Sequence, residues 1–253
     1  MLNAQPIIRR TKFSEIWQVS LLTSGELFRA SSLLATNGVD IAVFDTGLPQ
    51  HSNSFIAALE KFGVAPEDVT LVFNTHAHVD HSHNNSLFEN ARIFCSRLDR
   101  EWTRSFQETL ARFENPAERD VLAFYPETAN YQFDSKIFRK VLAIEKLVWD
   151  ATRWGRDGQT CWLEENSLPD GINVLPTPGH APHHVSYIIQ TEQRPVLLCG
   201  DALLVRDEEN ANLSLIPPHD LAAYKHSQTL VKAFDGIIVP GHDAPFDNQL
   251  FNK

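Results

Sequence analysis

Apolar residues along this chain follow two rhythms, short runs with the period of a strand and longer stretches with the spacing of a helix face. Residues 16–23 and 27–34 are β-rich runs flanking Ser24-Gly25, which reads as a hairpin turn. The run 39–44 leads into Asp45-Thr46-Gly47. Over 52–62, Phe55, Ile56, Leu59 and Phe62 share one helical face, and Gly63 supplies a stop. The run 69–74 has the continuous apolar character of a buried strand and ends just before a cluster of histidines. A further strand is expected at 91–95.

From 97 to 157 the rhythm changes. Leu98, Trp102, Phe106, Leu110 and Phe113 recur at helical spacing until Asn115-Pro116, and further helical patterns are expected near 117–125 and 135–148. The block is rich in aromatic residues, including Phe124, Tyr125, Tyr131, Phe133, Trp149 and Trp154. It is expected to pack as helices against the core, with part of it covering an active-site mouth as a lid. Strand patterns resume at 160–163, 172–176, 185–190 and 196–199. A helix at 219–233 is expected to open at His219-Asp220 and to bury Leu221, Tyr224 and Leu230; a last strand at 236–239 precedes Pro240-Gly241-His242. Two strand-rich stretches, each with its helix, predict two sheets with helices outside. That is an α/β layered sandwich in a single domain over 1–253.

Composition narrows the function classes. With 253 residues, 43% hydrophobic and 21% charged, the chain can bury a sizeable core unaided. A net charge of −10, from 32 acidic and 22 basic residues, disfavours nucleic acid as a partner without excluding a local basic groove. No run approaches the ~18 apolar residues of a membrane span, and no apolar segment follows the early arginines Arg9 and Arg10. Cys95, Cys161 and Cys199 are odd in number and widely spaced, which suits a reducing compartment. The expected location is cytoplasmic, the expected partner a small-molecule substrate with no membrane, and a homodimer is left open.

The candidate chemistry lies in Asn74-Thr75-His76-Ala77-His78-Val79-Asp80-His81. Three imidazoles and a carboxylate in six residues form a matched ligand set for a borderline divalent metal. The small apolar Ala77 and Val79 between them suit a turn whose alternate side chains converge inward. Three more candidates follow strand patterns: His180 in Thr177-Pro178-Gly179-His180, Asp201 in Cys199-Gly200-Asp201, and His242 in Pro240-Gly241-His242. A lone Gly-Asp is usually a turn, and a lone histidine is usually a satisfied polar residue. Beside the first cluster they complete a coordination set.

In that order the motifs THAHVDH, TPGH, GD and PGH resemble those of the metallo-β-lactamase-fold hydrolase superfamily, over nearly the whole chain from Val39 to His242. The resemblance implies a four-layer αββα sandwich, with 97–157 as a helical insertion. It implies two divalent metal ions, zinc first, with manganese or iron as alternatives. His76, His78 and His180 would hold one ion and Asp80, His81 and His242 the other, with Asp201 bridging. Asp45 would orient the ligand loop rather than bind metal. Two such ions would lower the pKa of a water between them and polarise the attacked oxygen, and Asp80 would be the catalytic carboxylate that orients that water or takes its proton.

Nearer resemblances are to acyl-homoserine lactonases and to the metallo-β-lactamase-domain-containing protein 1 type. The second rests on 63–72, Ser86-Leu87-Phe88, HHVS at 183–186 and VPGHDAPF at 239–246. The lactonases carry a tyrosine three residues after the bridging aspartate; here Leu204 stands there, and Tyr187 or an insertion residue would have to substitute. His83 and His183 also depart from the usual pattern and could line the pocket, although packing or exposure is the simpler expectation. His184 sits where the family commonly has histidine and is expected to be structural. The reaction expected is hydrolysis of an ester, lactone or thioester. Alternatives are a phosphodiesterase or ribonuclease of the same fold, a mononuclear iron dioxygenase, or a metal-binding protein without catalysis.

Overall fold

A computed structural model describes residues 15–26, 28–114, 122–129, 133–208 and 216–248. Among the described residues, eleven strands form two sheets. The first has six strands in sequence order: β1 (Gln18–Thr23), β2 (Ser32–Thr36), β3 (Ile41–Phe44), β4 (Leu71–Phe73), β5 (Arg92–Cys95) and β6 (Thr160–Trp162). Strands β1 to β3 pair antiparallel, and β3 to β6 run parallel. The second sheet has the order β11-β10-β9-β8-β7, from β7 (Ile172–Pro176), β8 (Val185–Ile189), β9 (Val196–Gly200), β10 (Ile237–Pro240) and β11 (Phe246–Asp247). Because β8 is antiparallel to both β7 and β9, and β10 is parallel to β9, the strands β7, β9 and β10 all point the same way. Their ends can therefore open on one edge.

Strand alternation builds the layers. Leu33, Ala35, Ala42, Phe44, Leu71, Phe73 and Phe94 face the second sheet and meet Tyr187, Ile189, Val196, Leu198 and Val239 there. Phe44, Phe73 and Phe94 stack in turn at 4.7 and 5.0 Å, with Tyr187 edge-on to the first two. Their neighbours Leu34, Val43, Val72 and Ile93 face outward under Phe55, Leu59 and Phe62, the first two from helix α1 (Ser52–Glu60). On the far side Leu197, Cys199 and Ile238 pack with Val231 of helix α5 (Leu221–Lys232). The result is helix, sheet, sheet, helix, the layering implied by the sequence motifs.

Three short-range expectations need correction. The partner of β1 starts at Ser32, so the connection runs through 24–31 with an internal Glu26–Arg29 bridge instead of a tight turn at Ser24-Gly25. In α5 the buried residues are Tyr224, Ser227, Gln228 and Val231; Leu230 is 37% exposed and Leu221 half-buried. Helix α3 (Arg97–Leu110) likewise buries Asp99, Thr103, Phe106, Gln107 and Leu110, while Leu98 is exposed. In both helices a polar stripe is turned inward. The expected stop at Asn115-Pro116 and most of the helix near 117–125 lie outside the described residues, as does Tyr131; helix α4 (Ser135–Val148) lies where the periodicity places it, capped by Asp134. Around Phe106, Leu110, Tyr125, Phe138 and Leu142 the insertion has its own small apolar core. Among the described residues no helix is long and apolar enough to cross a membrane.

Candidate metal centre

The ligand loop leaves β4 at Phe73, and Asn74 N–H still donates to Phe94 at 3.0 Å. Beyond it, Thr75 is tied to the buried Asp45 twice, its N–H on Oδ1 and its hydroxyl on Oδ2, both at 2.8 Å. Asp45 sits at φ 51°, a left-handed conformation that aspartate tolerates better than most residues. Asn74 Nδ2 donates to the His81 carbonyl at 3.1 Å, and Ser82 Oγ to the carbonyls of Ala77 and His78, closing the loop on the single turn of helix α2 (Val79–Ser82). From the second sheet, Tyr187 donates to Asn74 O and Val185 N–H to Thr75 O, each at 3.0 Å. Tyr187 is thereby fixed in the core and does not line the pocket.

All seven candidate side chains converge across the two sheets. His76, His78 and His180 form one group of ligand atoms, Asp80, His81 and His242 another, and His76, His81 and Asp201 a third that spans them. Asp201 divides its oxygens: Oδ2 is 3.3 Å from His180 Nε2 and 4.0 Å from His76 Nε2, Oδ1 is 3.2 Å from His81 Nε2 and 3.4 Å from His242 Nε2. His78 Nδ1 lies 3.0 Å from Nε2 of both His76 and His180, and Asp80 Oδ2 is 3.3 Å from His242 Nε2. Metal–ligand bonds of 2.0–2.1 Å in a tetrahedron put ligand atoms about 3.3 Å apart. The spacing suits two ions, and His81 Nε2 and Asp201 Oδ1 are buried without hydrogen-bond partners.

Hydrogen bonds at the far ring nitrogens set the tautomers. His81 Nδ1 lies 2.8 Å from Asp45 Oδ2 and His242 Nδ1 2.8 Å from the Glu26 carbonyl, so each ring carries its proton there and turns Nε2 inward. The Thr75 hydroxyl donates to Asp45 and accepts from His76 Nδ1 at 3.1 Å, with the same result. Asp45 is thus the orienting group that the sequence motifs imply. At the end of β9, Gly200 has φ 48°, and a Cβ there would stand 2.7 Å from Thr75 Oγ1 and 2.8 Å from His184 Nε2. His184 Nε2 accepts the Asp201 N–H at 3.1 Å, so its Nδ1 donates to Thr177 Oγ1 at 3.0 Å. His184 aims Asp201 and stays outside the ligand groups, as expected.

Electrostatics follow from burial and the carboxylates. Burial disfavours the charged form of His76 and His180 and holds both well below the usual histidine range; it brings His78 down to about 4. Burial acts the same way on His81 and His242, but Asp201 and Asp80 outweigh it, with Asp45 adding to the effect on His81. His81 is held well above the usual range and His242 rises to about 9. The half of the centre that contains Asp80 therefore draws positive charge, which suits a cation.

The other singled-out residues divide. His83 is buried between Trp149 and Trp154, and its Nε2 accepts the Asp150 N–H at 3.3 Å, so it anchors the end of the insertion. His183 is exposed, and neither histidine lines the pocket. Cys199 is buried core. Leu204 does line the pocket, and its backbone N–H rests on Glu208, which also accepts from Tyr224 and Gln228. Burial pushes the Glu208 carboxyl up from 4.5 to about 7 despite those donors.

The folded state then binds this proton more tightly than the unfolded chain. The stability it contributes is complete below about pH 4.5 and is lost as pH rises through about 7. Glu208→Gln cannot titrate and should flatten that fall, worth up to about 3 kcal/mol at ~1.4 kcal/mol per pKa unit. Melting curves of both metal-free proteins from about pH 5 to 8 check this, and parallel profiles would refute it.

An open cleft of about 690 Å³ leads to the centre. His78, Asp80, Asp201 and His242 lie at its polar end, and Ile137, Phe138, Val141, Leu142 and Ile144 of α4 form an apolar wall, with Tyr125 and Glu145 beside them. The sequence profile of the metallo-beta-lactamase superfamily matches residues 25–242. The chain belongs to that superfamily.

Among superfamily relatives, the mouse metallo-beta-lactamase domain-containing protein 1 is 27% identical over 204 residues. That match takes in 80% of this chain but only 59% of the mouse protein, so the chain spans under two thirds of that relative. The N-acyl homoserine lactonase of Bacillus thuringiensis is 26% identical over 189 residues, 73% of this chain and 60% of the lactonase. Among solved folds, a Thermotoga maritima protein of the metallo-beta-lactamase type superposes with a TM-score of 0.58 at 22% identity, covering 92% of this chain and 99% of that one. The dizinc quorum-quenching lactonase AidC gives 0.55 at 19% identity, over 84% of this chain and 72% of its own. These likenesses show the shared superfamily fold.

Proposed function

We propose that the chain is a dinuclear metal-dependent hydrolase, in one domain, acting on an ester, lactone or thioester within an apolar small molecule. The observation that carries this reading is the cleft, where two metal-ligand groups meet a wall of aliphatic side chains. Its described lining contains no lysine or arginine but includes Asp80, Glu145 and Asp201. Beyond the ions themselves, no lysine or arginine of that lining is placed to hold the flanking oxygens of a phosphodiester, whereas the apolar wall suits the hydrocarbon part of a neutral ester. The relationship to N-acyl homoserine lactonases supports the same reading.

In this reading His76, His78 and His180 hold one ion, Asp80, His81 and His242 the other, and Asp201 both, zinc being the proposed metal. Bound there, the ions supply hydroxide at neutral pH and polarise the attacked carbonyl. The residues do the rest. Asp80, the partly exposed member of the set, faces the cleft and can hold a proton at its carboxylate. Asp45 and His184 keep the ligands aimed. Leu204 offers no polar atom to a carbonyl oxygen, whereas Tyr125 of the insertion brings a hydroxyl to the same cleft. Tyr125 and helix α4, both from the insertion, line the cleft and serve as its lid. The partner is a small molecule, without nucleic acid or membrane, and the free cysteines fit a cytoplasmic setting.

The test is a panel of lactones, p-nitrophenyl esters and thioesters of increasing apolar length, beside bis-p-nitrophenyl phosphate, on zinc-loaded protein. Carboxylic substrates should exceed the phosphodiester by about 100-fold or more in kcat/KM, with gains of up to about tenfold per methylene or two along the wall. Preference for the phosphodiester would overturn the reading in favour of a nuclease-type activity.

A further inference from the structure

A buried carboxyl of the insertion, Asp99, reaches the metal loop, and a second, Glu145, lines the cleft beside it. In His76-Ala77-His78-Val79-Asp80 the ligand side chains converge on the centre, while Ala77 and Val79 are buried between them. The Ala77 N–H donates to Asp99 Oδ2 at 2.7 Å. Glu145 lines the cleft beside Val79 and Asp80. Asp99 lies in the first turn of α3 and Glu145 near the end of α4, and the two helices are linked because Gln107 Nε2 donates to Glu145. Asp99, Thr103 and Gln107 are spaced four residues apart, so they form one inward stripe on α3.

Asp99 is 1% exposed and Glu145 4%, and no lysine or arginine is among the charges that act on either. Burying a carboxyl without a cation is costly, and a hydrogen bond from a backbone N–H is one of the few local compensations. Here the bond to Asp99 falls on the Ala77 amide, one residue before His78. Rotating that stretch of backbone would turn the His78 ring away from His76 and His180, so whatever fixes the Ala77 amide helps to fix the geometry of that ligand group.

We propose that Asp99 is a positioning residue that clamps the metal loop through its Ala77 amide, with Glu145 tying α4 to the same helix through Gln107, so that seating of the insertion and metal binding are one coupled event. The proposal rests on the metal reading above. It makes α3 and α4 part of the metal centre as well as a cover for the cleft. Coupling is reciprocal: any factor by which the seated insertion tightens metal is the factor by which metal tightens the insertion.

The experiment measures zinc affinity by competition with a chromophoric chelator, for the full chain and for Asp99→Leu and Asp99→Asn. Asparagine keeps an oxygen that accepts the N–H, and leucine does not. The leucine variant should bind zinc about 10- to 100-fold more weakly, and the asparagine variant within a few-fold of the parent. Hydrogen exchange on the unaltered protein supplies a second measurement: the Ala77 amide should be protected, and α3 should exchange more slowly with zinc than without.

A leucine variant with parental affinity, an asparagine variant as weak as leucine, or rapid exchange at Ala77 would each overturn the clamp. If the leucine variant does not fold, the exchange data decide. If the unaltered chain binds no zinc, the metal reading fails on its own, and protection at Ala77 still decides the contact.

Discussion

Asp201→Ala should empty both metal positions and lower kcat/KM by at least about a thousandfold while the sheets stay folded. Each Asp201 oxygen faces a pair of imidazoles, Oδ2 those of His76 and His180 and Oδ1 those of His81 and His242. One truncation therefore removes an anionic donor from both groups at once. It also leaves His81 and His242 with less of the negative charge that outweighs their burial, since Asp201 leads the charges raising both. His78→Ala removes a donor from one group alone and should release one ion before the other. Metal analysis beside initial rates reads both variants. Two ions retained in the Asp201 variant would remove the bridging role.

Gly241→Ala should be nearly as damaging without deleting any ligand. A Cβ at Gly241 would stand 2.0 Å from Asp201 Oδ1 and 3.0 Å from the Gly200 backbone. The backbone neighbour cannot yield cheaply, so the carboxylate must swing away from His81 and His242. The expected outcome is loss of metal from the Asp80 group first and a fall in kcat/KM of about 100-fold or more. Far-ultraviolet circular dichroism and a melting curve would confirm that the sheets survive. Parental activity would show that Asp201 reaches its ligands by another rotamer.

Strand runs were the most legible part of the chain because alternation and apolar continuity report burial directly. Residues 172–176 and 135–148 coincide with β7 and α4. The two-residue β11 carries too little pattern to be seen in sequence. Helix faces were read less well, for one physical reason: hydrophobic spacing finds apolar stripes and is blind to polar residues that are buried with partners. It therefore favoured Leu98 and Leu230, both exposed, over Asp99, Gln107, Ser227 and Gln228. At the candidate centre, the motifs brought together the seven side chains that the structure also brings together. Asp99 and Glu145 were missed because an acid on an amphipathic helix looks like a solvated one; only their depth marks them.

The candidate ligands come from two distant parts of the chain, the loop at 76–81 after the first sheet's β4 and the loops that hold His180, Asp201 and His242 in the second sheet. Ions held there would close a loop from His81 to His242 of more than 150 residues, ligand to ligand (242 − 81 = 161). In the chain-entropy view, a cross-link closing even about 100 residues is worth roughly 4–5 kcal/mol. Cys95, Cys161 and Cys199 are free, so the described chain has no covalent link between its halves. Its staple would be ionic and reversible, and a chelator would do to this protein what a reductant does to one sewn together by disulfides.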